Sequence, residues 1–342
     1  METRDPSIDA LRGLAILIMV GANLSPILPA PHPLAYRFWA SLAAPLFVTL
    51  AGAMVGLNLD RHPLRYFLVR GALIFLIGAL LDAAAWKLIP FMGFNVLYLI
   101  GLSLPLAALA GRLSSPALAA LAAAWFLLTP ALQIVWGYSE VPTEILLQYS
   151  GYLKPGHALD VARQWLVDGY FPIFPWTGFV LAGLLAARVR WSGPAKKTAF
   201  PDARAMKAGT GAVAAGAVLW LLYPGPLYER FGYSELFYPA VPGFITIMIG
   251  LLILALGLVD RSRSWPGWRI LRPLGQASLF MYIFHELVLR RLLFPWRPRI
   301  TYPQALLALT LLVSIMILLG LALRRLRARR RLPLPLRLLL GG

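Results

Sequence analysis

Long apolar segments of about twenty residues recur along the sequence and restrict its fold more than any other feature. A helix of about 20 apolar residues crosses the hydrocarbon core of a bilayer, and its backbone polar groups are then satisfied within the segment. Strands of a membrane barrel would be about half as long and would alternate in polarity. The sequence therefore predicts an all-α, polytopic integral membrane helix bundle of about ten transmembrane helices. The predicted spans are 8–28, 38–57, 66–85, 92–111, 116–136, 171–188, 207–223, 238–259, 273–290 and 304–323.

The composition agrees with this class of protein. The chain has 342 residues, of which 59% are hydrophobic and 13% charged, and its mean hydropathy is +0.72, far from the balance of a soluble domain. The absence of cysteine excludes a disulfide framework, a thiolate nucleophile and cysteine-ligated zinc, and we expect no metal site. The formal charge of +18 could indicate nucleic acid. Because the basic residues lie in short segments between apolar runs, we expect the lipid bilayer as partner and no nucleic acid.

The distribution of Lys and Arg predicts the orientation. With the N-terminus inside, most of the 32 basic residues fall in cytoplasmic segments, so both termini are predicted to be cytoplasmic. One segment disagrees, since Arg290, Arg291, Arg297 and Arg299 would lie outside. We predict a transmembrane domain over residues 1–323 and a basic cytoplasmic tail over residues 324–342, attracted to anionic lipid.

The first span begins with charged residues in an otherwise apolar run. Asp9 and Arg12 lie where hydrocarbon begins, and Asn23 lies about five turns further on, at the opposite face. Polar groups at such depths are usually functional or paired. The alternative is an ordinary helix with an Asp9–Arg12 ion pair at i,i+3 and Asn23 in contact with water at its far end.

Two of the four histidines are candidates for chemistry. His32 lies between two prolines in the first outer loop, so its backbone is stiff. His285 lies near the outer end of the ninth span and precedes Glu286. A histidine is the natural general base near neutral pH, and a nearby amide such as Asn23 can orient a substrate or stabilise an oxyanion. The alternatives are a packing role for His285 and an i,i+4 pair of Glu286 with Arg290.

Small residues suggest how two helices approach each other. Gly52 and Gly56 in the second span have the GxxxG spacing. Because this spacing leaves a helix face without side chains, another helix can approach closely there. We predict a helix contact at these two positions.

Four segments together resemble a known family. SIDALRG at residues 7–13, with Asn23 downstream and APLFVTLAGAMVG at residues 44–56, resembles the opening of the heparan-alpha-glucosaminide N-acetyltransferase catalytic-domain family. YFPIFPWTGFVLAGLLAAR at residues 170–188 is similar to the bacterial branch of that family. LGQASLFMYIFHELVLRRLLFPW at residues 274–296 resembles its C-terminal histidine helix. The resemblance implies a multi-pass protein of a bacterial inner membrane.

The resemblance also implies an activity. Enzymes of this family take acetyl-CoA from the cytoplasmic side and acetylate an amino sugar on the other side, using a histidine in the first outer loop and a nearby asparagine. By position these are His32 and Asn23, and we add His285 and Glu286 as catalytic candidates. We expect an acyltransferase with acetyl-CoA as donor and a sugar or glycan as acceptor. The identity of the acceptor stays open, and so does the choice between direct transfer and an acyl-histidine intermediate.

A second copy of the chain, as a homodimer, is a further candidate partner.

The donor needs cationic groups, because the phosphates of CoA cannot enter hydrocarbon unpaired. Arginines near the inner helix ends are therefore the candidates for cofactor binding, with Asp9 beside the first of them. They are Arg12, Arg65, Arg70, Arg188 and Arg272. The competing hypothesis is a non-enzymatic membrane transporter or scaffold. A transporter would be expected to have internal repeats with paired broken helices, and the spans show no such symmetry.

Overall fold

The chain is almost entirely helical where its structure is described. A computed structural model describes residues 5–138, 157–191, 200–223, 234–296 and 300–329. The elements of the described residues are helices, and seven helical segments could cross a membrane, so the predicted all-α fold of a polytopic membrane protein is confirmed. The α-helices are α1 (Pro6–Ala22), α2 (Leu34–Ser41), α3 (Ala43–Asn58), α4 (Leu64–Leu81), α5 (Val96–Ala110), α6 (Ser115–Trp136), α7 (His157–Arg163), α8 (Ile173–Arg190), α9 (Ala203–Leu221), α10 (Pro242–Arg261), α11 (Pro266–Gln276), α12 (Ser278–Val288) and α13 (Tyr302–Arg329).

Seven helical segments within the described residues are long and apolar enough to cross a membrane. Each overlaps one of the ten predicted spans: they are Pro6–Ile27, Leu34–Asn58, Leu64–Trp86, Ser115–Trp136, Ala158–Arg190, Pro242–Arg261 and Tyr302–Arg327.

The other three predicted spans differ from these seven segments in length, composition or continuity. The predicted span 92–111 is α5, an apolar helix of only 15 residues. The predicted span 207–223 lies in α9, which is long enough but less apolar because of its glycines and Lys207. The predicted span 273–290 is interrupted at Ala277, where the backbone leaves helical geometry between α11 and α12.

The chain divides into two compact units. The first consists of Met1–Phe47 and Leu252–Gly342, and the second of Val48–Leu251. The predicted boundary between residues 323 and 324 lies inside α13, which continues to Arg329. The rest of the predicted tail lies outside the described residues.

In the first unit, α1 packs against α11 through glycine. A Cβ at Gly13 would overlap the backbone of Leu271, and one at Gly275 would overlap the carbonyl group of Asp9. Helix α1 begins with an Asp5 side chain that accepts a hydrogen bond from the Ser7 N–H, followed by a proline in its first turn. It ends at Ala22, so Asn23 is the capping residue at the other end.

In the second unit, the predicted GxxxG contact is confirmed. Gly52 packs against the backbone of Val180 and Gly56 against the Ala187 side chain, both on α8. The buried Asp82 carboxylate joins the end of α4 to the start of α5. It accepts hydrogen bonds from Asn95 Nδ2 at 3.0 Å and from Tyr98 Oη at 2.6 Å.

Candidate functional site

Three of the predicted catalytic residues meet in the first unit. Asn23 Nδ2 lies 2.9 Å from His285 Nε2 and donates a hydrogen bond of 2.9 Å to Glu286 Oε1. Asn23 is placed by the end of α1, and the other two are adjacent residues of α12. His285 is 0% exposed and Glu286 is 3% exposed. The structure therefore gathers an amide, an imidazole and a carboxylate into one buried cluster.

The partners of His285 define its tautomer. A carboxylate only accepts hydrogen bonds, so the amide of Asn23 presents its NH₂ group to Glu286 and hence also to His285. His285 Nε2 is then an acceptor. The other ring nitrogen, Nδ1, lies 3.2 Å from the carbonyl oxygen of Met281 and donates its proton to it. In this arrangement Nε2 holds a lone pair directed at the Asn23 amide, as a general base requires.

The Glu286 carboxylate is only partly satisfied. Oε1 accepts from Asn23 and lies 3.4 Å from His285 Nε2. Oε2 is buried and has no hydrogen-bond partner among the described residues. A buried acceptor without a partner is costly, and a ligand that donates a hydrogen bond would satisfy it.

The alternative interpretation of Glu286 is wrong. Within the described residues Glu286 pairs with Asn23 and His285 rather than with Arg290, whose guanidinium lies over the Phe294 ring at 5.4 Å. Arg290 belongs to a π-helical turn, Leu289–Leu293, whose wider winding disturbs the i,i+4 register.

His32 lies in a second cluster, made of aromatic side chains. Its Nδ1 lies 3.4 Å from Tyr302 Oη, and its ring centroid is 5.5 Å from that of Tyr36. The side chain is half-buried and follows Pro31. Its link to Asn23 is indirect and runs through Tyr36, whose Oη donates to the carbonyl oxygen of Gly21 at 2.9 Å, two residues before Asn23.

Tyr36 and Tyr302 were not among the residues predicted from the sequence. Tyr36 follows His32 by four residues, and this spacing is the one signal that could have identified it. Tyr302 is 270 residues away from His32, and no local pattern indicates the contact.

The charged residues at the start of α1 have partners on α11 and α12. Asp9 Oδ2 accepts a hydrogen bond of 3.0 Å from Gln276 Nε2, and an Arg12 Nη2–H donates to Ser278 Oγ. Asp9 is buried and Arg12 is half-buried. The alternative Asp9–Arg12 ion pair is therefore wrong for the described part of the chain.

Arg272, on α11, has a buried Nε without a hydrogen-bond partner among the described residues.

The other three candidate arginines belong to the second unit. Arg65 is exposed near the start of α4. Arg70 Nη1 donates to Tyr66 Oη at 2.9 Å. Arg188, at the end of α8, donates to the carbonyl oxygens of Leu113, at 2.6 Å, and Gly111, so it caps the end of α5.

The described residues contain no group of three or more His, Asp or Glu side chains that could hold a metal ion. The side chains of the Asn23 cluster can themselves supply hydrogen-bond donation by an amide and proton transfer by an imidazole supported by a carboxylate.

Comparison with known proteins identifies the family. No curated protein matches the chain. A family model, described as heparan-alpha-glucosaminide N-acetyltransferase, catalytic, matches residues 4–223. The matched segment includes Asp9, Arg12, Asn23 and His32 and ends before α12. It covers well over half of the 342 residues, and the chain therefore belongs to the heparan-alpha-glucosaminide N-acetyltransferase catalytic family.

Proposed function

We propose that this membrane N-acetyltransferase moves an acetyl group from cytoplasmic acetyl-CoA to an amine of a sugar or glycan at the outer face of a bacterial inner membrane. The family supports acetyl transfer. The observation that supports the site is the hydrogen-bonded cluster of Asn23, His285 and Glu286.

The proposed reaction uses His285 as general base. The acceptor amine attacks the thioester carbonyl carbon, so that the nitrogen–carbon bond forms and the carbon–sulfur bond breaks. The proton from the nitrogen passes to His285 Nε2 and then from Nε2 to the departing CoA thiolate, which leaves as the thiol and restores the neutral imidazole. Glu286 stabilises the transient imidazolium, because its Oε1 lies 3.4 Å from Nε2.

Asn23 has two roles in this scheme. In the absence of substrate it fills the space beside the base, with one N–H directed at His285 and one at Glu286. When the acceptor nitrogen occupies the position at Nε2, the released N–H donates to the thioester oxygen as that oxygen gains negative charge. A single donor of this kind typically contributes about 10²–10³ in rate.

The acceptor amine completes the hydrogen bonding of Glu286. Its N–H groups donate to Oε2, which has no partner among the described residues. The cluster would therefore favour an amine over a neutral ether or ester group, which has no proton to donate.

His32 takes part as a second base or as a transient acyl carrier. Its position between two prolines presents the ring in a restricted set of directions, and its contact with Tyr302 fixes the ring at Nδ1. An acyl-histidine intermediate would form at a ring nitrogen of His32.

Each unit has its own candidate arginines for binding the phosphates of the donor, and the two sets are alternatives. In the first unit these are Arg12 and Arg272. Asp9 accepts a hydrogen bond from Gln276, which lies two residues before Ser278, the hydrogen-bond acceptor of Arg12. In the second unit the candidates are Arg65, Arg70 and Arg188.

The test is an acetyl-transfer assay with purified protein in detergent, in which CoA thiol release from acetyl-CoA is measured with and without glucosamine as acceptor. We expect acceptor-dependent release by the wild type and a decrease of about 10²-fold or more for Asn23→Ala. Asn58→Ala is the matched control, because Asn58 Nδ2 donates to Met54 O in its own helix. Equal rates for Asn23→Ala and Asn58→Ala would contradict the proposed site. Uptake of glucosamine by proteoliposomes that contain the protein, without CoA release, would instead support the transporter alternative.

A further inference from the structure

The second unit contains a cavity of about 540 Å³ lined by the ends of four helices. This volume lies within the ~300–1,000 Å³ typical of small-molecule sites. Small residues on facing helices form part of its wall, namely Gly56, Ala108, Gly111 and Ala187, and Trp191 adds an aromatic side chain. The small side chains at these four positions leave space between the helix ends.

The charged residues of the cavity are mostly basic. Arg112 and Arg188 line it together with His62, and Asp60 is the one acidic residue among the lining residues. Arg112 is exposed, and its side chain has no hydrogen bond or ion pair with the described residues. A guanidinium that has no partner among the described residues and lies beside an open cavity is suited to an anionic ligand.

Arg188 is fixed in place by the carbonyl oxygens of Leu113 and Gly111. These contacts use two of the five N–H groups of its guanidinium, so further donors remain at a constrained position. Planar guanidinium groups with spare N–H donors match the geometry of phosphate oxygens. His62 is held as well, because its ring stacks on Tyr66 with centroids 4.0 Å apart.

We propose that this cavity binds a phosphate-bearing ligand, with Arg112 and Arg188 as its donors. The turns that line it are among those that the distribution of Lys and Arg predicts to be cytoplasmic. Two ligands with this chemistry are available there: the 3′,5′-phosphorylated nucleotide of the acyl donor, and the headgroup of an anionic lipid. Binding of the donor nucleotide would place part of the donor site of the proposed function, and this assignment rests on that function. Binding of a lipid headgroup would be independent of it.

The test measures binding by the full-length protein in phosphatidylcholine nanodiscs without acceptor. The soluble probe is adenosine 3′,5′-bisphosphate, and binding is followed by calorimetry. We expect Arg112→Gln to weaken binding about tenfold or more, because it removes a charge-assisted contact. Asp60→Asn removes the one opposing charge and is expected to tighten binding. Arg204→Gln is the matched control, since Arg204 is an exposed arginine of the second unit that does not line the cavity.

A second arm distinguishes the two sources of phosphate. If the soluble probe does not bind, the thermal stability of the same protein is compared in nanodiscs with and without phosphatidylglycerol. If phosphatidylglycerol stabilises the wild type and Arg204→Gln but not Arg112→Gln, the cavity is assigned to a lipid headgroup. Absence of both effects, or equal affinity in the wild type, Arg112→Gln and Asp60→Asn, overturns the proposal.

The outcomes separate this proposal from the proposed function. Binding of the bisphosphate together with an absence of acetyl transfer would contradict the proposed function and leave the cavity assigned. Acetyl transfer with an unchanged KM for acetyl-CoA in Arg112→Gln, together with no binding of either probe, would contradict the cavity assignment and leave the proposed function standing.

Discussion

At the scale of single residues, the Asn23 amide joins two groups that neighbour each other on α12. One N–H is directed at His285 and the other at Glu286. Replacement of any one of the three therefore leaves a buried polar group without its partner, which costs about 1–3 kcal/mol. Such a variant is therefore expected to lose stability as well as activity, and both quantities must be measured. His32 is the better residue for separating them.

The first prediction concerns His32. We expect His32→Ala to lower acetyl transfer about 10²-fold or more, because a proton-transfer group is removed. The side chain is half-buried in a loop, so thermal stability should stay near that of the wild type. Steady-state rates and a melting curve on the same preparation check both parts. Wild-type turnover by the folded variant would exclude His32 from the chemistry.

The second prediction concerns Arg12. If Arg12 holds donor phosphate, Arg12→Gln should raise the KM for acetyl-CoA about tenfold and weaken inhibition by free CoA to a similar extent. Ser278→Ala is the control, because it removes a hydrogen-bond acceptor of Arg12 and keeps the guanidinium. A purely structural role would instead lower the melting temperature in both variants and leave both KM values unchanged.

The site residues could be named from the sequence, but their partners could not. Asn23, His285 and Glu286 stood out as polar groups in apolar segments, yet 262 residues separate Asn23 from His285. Local spacing indicated Asp9–Arg12 and Glu286–Arg290 as the pairs, and both were wrong. In each case a residue distant in sequence, Gln276 or Asn23, is the partner.

At the scale of elements, the closeness of α1 and α11 depends on glycine. The third prediction is that Gly13→Ala destabilises the protein by about 1–3 kcal/mol, because its Cβ would overlap the backbone of Leu271. Gly211→Ala is the matched control on α9, where none of the described residues has an atom within 4 Å of the added Cβ. There, alanine is expected to be neutral or stabilising. The free energy of unfolding in mixed detergent micelles measures both, and equal values would contradict the close contact.

Helix existence could be predicted better than helix continuity. Apolar length alone indicated six of the seven spanning segments to within a few residues, whereas the segment Ala158–Arg190 begins 13 residues before the predicted span 171–188. The break at Ala277 was missed, because alanine is a good helix former and lies inside an apolar run. The interruption depends on tertiary contacts, such as the approach of Gly275 to Asp9, that composition does not reveal.

At the scale of the whole molecule, the orientation in the membrane is the fourth prediction. The chain has no cysteine, so single cysteines can be introduced and labelled without background. We expect Ser264→Cys to react with an impermeant maleimide only after the membrane is opened, and Ala30→Cys to react in intact cells. Both positions are exposed. The opposite pattern would reverse the orientation and move the Asn23 cluster to the cytoplasmic side.

The last prediction combines sidedness with chemistry. In proteoliposomes with sealed membranes, acetyl-CoA is placed on the side of the C-terminal tail and glucosamine on the other, and N-acetylglucosamine is measured on the glucosamine side. We predict that the product accumulates there with the wild type and with Asn58→Ala. We predict little or no product with Asn23→Ala, or when acetyl-CoA is supplied only from the opposite side. Equal product formation by Asn23→Ala and the wild type, or none by the wild type from either side, would contradict the account.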